Sequence, residues 1–473
     1  MKRILTSALV VGLAIGAAGL AAQNPGAPAP AQPAQGGQPA PGGRAGGGRG
    51  GGAPAQPPGP PLIPAVPYKA GIPERMAQDT VITNVRIVVG TGQVIENGHI
   101  IVRGGRIATV AAGAPANTQG LRVFNAQGLS AMPGFIDGHK HLNDGPQAEA
   151  QGRSLLEAGY TTILVSGQAM GTMALRDRVE KLEVNGPRII PSGAVNLRQT
   201  PAEARAQVQA LAAMGVKHTG EIGLTPEPAP PQAEIETLRA IVEEAGKVGI
   251  QVNVHAVSST AMTAAIDVGV RRLVHLPNKD FTSFEQAAKV ASTGSIVAGL
   301  IAFGAPTIDR DSPPPAGCPQ PCQGSVVFPR DNTTRFRDGR PWPESLVGAN
   351  RDSMNRATGT EGGFTIINAR RIWDADGTNG GTMSFSTDQN FADLVVLEHE
   401  LKSFSIVFSM ADIHRIIGIN SARFVGLQDQ VGSLEVGKLA DIILLSGNPT
   451  QNIFEMLTTK VVFKEGRMVI DKR

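Results

Sequence analysis

The stretch Pro133-Gly134-Phe135-Ile136-Asp137-Gly138-His139-Lys140-His141 decides the fold. It is an apolar run that ends in two histidines one residue apart. Side chains alternate between the faces of a strand, so positions i and i+2 point the same way. His139 and His141 therefore project together from one strand end, an arrangement that suits two nitrogen ligands on one metal ion. A buried strand with two incidental histidines is the plainer reading. The chain has only eight histidines, and two of them converge here. By the same alternation Lys140 faces the other way and is expected to take no part in the chemistry.

Outward from this stretch, strand and helix patterns alternate. Strands are expected over 134–141, 161–166, 188–192, 216–222, 251–255, 272–276, 295–303 and 382–387, with helical stretches such as Gln232 to Val248 between most of them. Eight strand–helix units in roughly 300 residues predict a closed parallel (β/α)8 barrel of the TIM type. An open doubly wound sheet is the alternative, but the chain shows no glycine-rich phosphate loop to support it.

Both ends of the chain carry a different pattern. Short alternating strands with turn residues between them follow Thr80, as in Val81-Ile82-Thr83-Asn84-Val85-Arg86-Ile87-Val88. Similar runs recur at 437–445 and 461–469. The two ends are expected to complete one composite β-sandwich domain around the barrel, built from residues 79–131 and 430–473, with the barrel over 132–429. Residues from about 305 to 370 interrupt the barrel pattern. They are rich in Pro, Gly, Arg and Asp and hold Cys318, Cys322 and Trp342. A long connection leaving the C-terminal end of a barrel strand lies over the active-site mouth and is read as a lid or specificity element. Its arginines, 330, 335, 337 and 340, are read as a solvated face.

The totals limit the function classes. The chain has 473 residues and is 41% hydrophobic and 18% charged, as a large globular protein is. The net charge of +3 falls to +1 without Lys2 and Arg3, and aromatic residues make up only 4%. Neither a basic face nor a base-stacking surface is implied, so nucleic acid is not an expected partner. Residues 1–22 read as a secretory signal, with Lys2-Arg3, an apolar run and a small-residue ending Leu20-Ala21-Ala22. An uncleaved anchor is the alternative. Residues 23–78 are mostly Pro, Gly, Ala and Gln, and bury too little apolar surface to offset their ordering entropy. They read as a disordered tether. A periplasmic or secreted protein is expected, without a stable membrane span after signal cleavage. A local Cys318–Cys322 disulfide is plausible there.

Active sites of such barrels gather at the C-terminal strand ends. Those ends carry His139 and His141, then Glu221, His255, His275 and Asp388. Each has a plainer reading alone; Asp388, for example, could cap a helix. Together they form a nitrogen and oxygen donor set of the kind that binds zinc. His99, His218, His399 and His414 have no such setting and are read as surface or packing residues.

These residues resemble the metal-dependent amidohydrolase superfamily, in its imidazolonepropionase-like and prolidase-like branch. The resemblance is carried by Pro-Gly-Phe-Ile-Asp-x-His-x-His, by Ala158-Gly159-Tyr160-Thr161-Thr162, by the histidines ending the fifth and sixth strands, by Thr387-Asp388, and by Gly432-Ser433-Leu434-Glu435-Val436-Gly437-Lys438-Leu439-Ala440-Asp441. It implies a barrel with a composite β-sandwich and one or two divalent metals, zinc being the expected ion. It also implies hydrolysis of amide-like bonds in a small molecule or dipeptide. His139 and His141 would hold the first metal with Asp388, and His255 and His275 the second. Many members bridge the metals with a carboxylated lysine on the fourth strand. Here Lys217 and Glu221 share a face but lie about 13 Å apart along the strand. Glu221, nearer the C-terminal end, is the expected bridging carboxylate.

Asp388 is the expected general base and acid, passing a proton from water to the leaving nitrogen. Deamination and ester or lactone hydrolysis are the alternatives on the same centre, and a non-catalytic metal-containing envelope protein is a third class. A homo-oligomer is compatible with the sequence.

Overall fold

The first strands each bury apolar side chains, Val81, Ile82, Ile100, Val102 and Ile107 among them. The computed structural model describes residues 76–142, 145–167, 169–301, 308–309, 325–326, 359–377, 379–388 and 393–473. The expected signal and nearly all of the tether lie outside these residues, as do both cysteines, Trp342 and the four loop arginines. The chain enters with β1 (Thr80–Val88), β2 (Val94–Arg103) and β3 (Arg106–Ala112), followed by β4 (Arg122–Asn125) and β5 (Ser130–Pro133). β1, β2 and β3 form an antiparallel meander, while β4 and β5 run parallel to β1.

Gly134 separates β5 from the barrel. A Cβ there would lie 2.2 Å from Thr161 Oγ1, so only glycine allows this approach. The barrel strands are β6 (Phe135–Lys140), β7 (Tyr160–Val165), β8 (Arg188–Gly193), β9 (His218–Gly223), β10 (Gln251–His255), β11 (Arg272–Val274) and β12 (Ile296–Gly299). A two-residue antiparallel pair, β13 (Ile308–Asp309) and β14 (Ser325–Val326), precedes the last barrel strand, β15 (Met383–Phe385). The eight strands pair in parallel in the order β6-β7-β8-β9-β10-β11-β12-β15. Just past β15, the Asp388 amide donates to the His139 carbonyl at 2.9 Å and brings the last strand back to the first. The expected strand positions hold, with shifted ends. This is the predicted TIM-type barrel.

Helices α1 (Pro146–Ala158), α2 (Ala169–Glu180), α3 (Pro201–Ala213), α4 (Gln232–Val248), α5 (Ser259–Asp267) and α6 (Phe284–Ser292) connect the strands. Their ends follow local chemistry. Thr200 and Glu203 form a capping box that satisfies the first amides of α3. Gly159 ends α1 in the left-handed region, at φ 105°.

The interrupted region needs one correction. Its last residues are not loop, because α7 (Gly359–Ala375) begins inside it. The glycine-rich start, Gly359-Thr360-Glu361-Gly362-Gly363, reads as a loop by propensity. Tertiary burial of Phe364, Ile366, Ile367, Ala369 and Ile372 outweighs it. Asn368 of α7 accepts from the Thr282 amide at 2.8 Å and donates to the carbonyls of Pro277 and Asp280 at 2.9 and 2.8 Å. This holds the connection that leaves β11.

After α8 (Asp393–Val407) the chain returns through β16 (Ile442–Leu445), β17 (Thr459–Lys464) and β18 (Arg467–Asp471). These strands join the first sheet in the order β18-β17-β16-β5-β1-β2-β3, with β4 beside β1. Residues from both chain ends, among them Ile82, Ile100, Ile442 and Phe463, share its core. Arg188 of β8 fastens the two parts. It lies 2.7 Å from Asp441 and 2.6 Å from Glu465. No helix among the described residues is long and apolar enough to cross a membrane.

Candidate metal centre

The six expected side chains come from five strand ends. His139 lies in β6 and His141 just past it. Glu221 lies in β9, and His255 is the last residue of β10. His275 follows β11 directly, and Asp388 follows β15. Both His275 (φ 66°) and Asp388 (φ 54°) occupy the left-handed region, which side chains other than glycine seldom adopt. Such conformations cost about 1–3 kcal/mol each and persist where the surroundings over-determine them.

The structure brings all six together. Asp388 Oδ1 lies 3.0 Å from Nε2 of both His139 and His141. Glu221 Oε2 lies 3.1 Å from His255 Nδ1, 3.2 Å from His275 Nε2 and 3.6 Å from His139 Nε2. Two donor sets result, His139, His141, Glu221 and Asp388 on one side and Glu221, His255 and His275 on the other. Within each, one atom per residue falls within 4.8 Å of all the others, and Glu221 belongs to both.

The electrostatics follow from this geometry. Burial alone would raise the Glu221 carboxyl, but its hydrogen bonds with His255 and His275 and the charge of His139 outweigh burial and hold it well below the usual range. The neighbouring His139 and His141 likewise hold Asp388 low. Asp388 in turn raises His141, while burial lowers His275. The donor set fits a divalent cation. His139 Nε2 is buried and has no hydrogen-bond partner, although two carboxylates stand beside it. A buried polar atom so placed calls for a ligand.

Lys217 precedes β9, is exposed, and does not enter the cluster; Glu221 does. Of the other histidines, His99, His218 and His414 are buried. The side chain of His399 lies outside the described ones. The sequence reading missed the residues behind the centre. Lys140 is wholly buried and paired with Asp393. The available signal is a pair of charges, Asp137 and Lys140, in a strand whose six residues are all buried. Beside His141 an open cavity of about 730 Å³ is lined by Leu142, Ala148, Ser166 and Leu175 among others.

A model of the amidohydrolase family matches residues 130–280 and 360–469. The chain belongs to the amidohydrolase family. It is 26% identical over 405 residues to an adenine deaminase of Ruegeria sp. (strain TM1040), covering 84% of this chain and 58% of that protein. The chain thus spans less than two thirds of that relative. It is 22% identical over 375 residues to an imidazolonepropionase of Thermoplasma acidophilum, covering 76% of this chain and 85% of that protein. Among solved structures, a putative prolidase from Bifidobacterium longum superposes with a TM-score of 0.63 at 22% identity, covering 84% of this chain and 97% of that one. That likeness is one of fold.

Proposed function

We propose that this amidohydrolase is an exported, metal-dependent hydrolase of carbon–nitrogen bonds in small amides, cyclic amides or dipeptides. The carrying observation is Asp388, whose one carboxylate oxygen stands 3.0 Å from both histidines of the strand-end pair. His139, His141 and Asp388 would hold one zinc ion, and His255 and His275 a second, with Glu221 between them. Two ions per chain is the proposed count. When bound, such an ion lowers the pKa of a water from 15.7 toward about 7.

The chain's own residues do the rest. Asp388, kept ionised by its histidines, takes the proton of the attacking water. As the carbon–nitrogen bond breaks, Asp388 gives that proton to the leaving nitrogen. The cavity beside His141 has the volume of a small-molecule site. Export is proposed from the charged, apolar and small-residue pattern of residues 1–22. Deamination is the second reading, favoured by the adenine deaminase relative.

A panel of dipeptides, N-acyl amino acids, lactams and adenine, offered to the zinc-loaded protein, tests this. Turnover of an amide is expected, with Asp388→Asn lowering kcat by about 10²–10⁴-fold at retained zinc content. Ammonia from adenine alone would move the reading to deamination. No turnover across the panel, nor of simple esters and lactones, would leave the non-catalytic envelope protein.

A further inference from the structure

Behind the strand-end histidines lies a second polar cluster with no place in the proton transfers above. Lys140 and Asp137 are wholly buried, and Asp393, the first residue of α8, is 3% exposed. Lys140 Nζ lies 2.8 Å from Asp393 Oδ1 and donates to Thr387 Oγ1 at 3.2 Å. Thr387 Oγ1 donates in turn to Asp137 Oδ2 at 2.5 Å. The other Asp137 oxygen accepts from the backbone amides of His139 at 3.0 Å and Thr387 at 3.3 Å. One continuous chain of hydrogen bonds and charge thus runs from α8, through Lys140 and Thr387, to the backbone of His139.

Stability does not account for it. Taking a lysine and two aspartates out of water is costly, and a buried ion pair is often no more stabilising than apolar side chains of the same size. What the cluster supplies is position. Its ends fall on residues 139 and 387, and the Asp388 amide, donating to the His139 carbonyl, closes the link between them. Asp388 stands there in the left-handed region. A strained residue keeps its conformation only when its neighbours fix it, and here Thr387, bonded through both its amide and its hydroxyl, fixes the residue immediately before.

We propose that Lys140, Thr387, Asp137 and Asp393 form a positioning clamp that sets Asp388 against His139 and so tunes the metal affinity of the centre. This rests on the reading of those residues as metal ligands. Outer partners of metal ligands are worth about 10–100-fold in affinity.

The test is Zn²⁺ titration of the full chain in competition with a chromophoric chelator, with folding checked by circular dichroism. Thr387→Val keeps the side-chain volume and removes the hydroxyl. It is expected to weaken zinc binding by about 10–100-fold, and Thr387→Ser to restore it. Lys140→Met combined with Asp393→Leu removes both charges together and is expected to show the same loss. A purely structural role would lower the melting temperature and leave zinc affinity unchanged in the folded variants; that result overturns the clamp. Wild-type protein that binds no zinc would remove the metal reading itself, and the clamp with it.

Discussion

Glu221 Oε2 lies 3.2 Å from Nε2 of His275. The same oxygen faces His255 and His139, so one carboxylate serves both donor sets. Its position in β9, beside β10 and one strand from β11, makes this possible.

Metal count should therefore depend on this residue. Two zinc ions per chain are expected in the wild type, and Glu221→Ala should retain one at most, whereas Lys217→Ala should retain both. Elemental analysis of gel-filtered protein measures this directly. Full occupancy in Glu221→Ala would remove the bridging role. Zinc at 100 times its Kd should also add about 2.7 kcal/mol to stability, and chelation should abolish that increment in a thermal melt.

Two buried histidines away from the centre make stability depend on pH. Burial pushes His218 and His414 down to about 4 from an ordinary value of 6.5. Their folded pKa lies below the unfolded one, so the unfolded chain takes up the proton first as pH falls. Their contribution is complete above about pH 6.5 and is lost progressively between 6.5 and about 4. At pH 5 each should cost about 2 kcal/mol. Urea midpoints at pH 7 and pH 5 measure the slope, and His414→Gln should flatten it. An equal slope in that variant would assign the effect elsewhere.

Arg188 joins the barrel to the composite sheet. Its partner Asp441 is 3% exposed, so Arg188→Met leaves a buried carboxylate without its cation. A loss of about 3–5 kcal/mol is expected. A change below about 1 kcal/mol in denaturant unfolding would show that Asp441 finds another partner.

Much of this protein was legible in the chain itself. Alternation in Phe135–His141 aims His139 and His141 one way. The strand–helix period predicts the barrel, and the strand-end rule picks out Glu221, His255, His275 and Asp388. These follow from local geometry, since strand period and strand direction need no knowledge of distant contacts. The start of α7 was hidden because its glycines argue for loop while its burial is tertiary. The burial of Lys140 and its pairing with Asp393 escape local geometry for the same reason. Alternation cannot tell that Asp393, some 250 residues later, comes to pair with it. Distances within the centre, the sharing of Glu221 Oε2 between two donor sets, and the left-handed turn at Asp388 were decided only when the barrel brought its last strand back to its first.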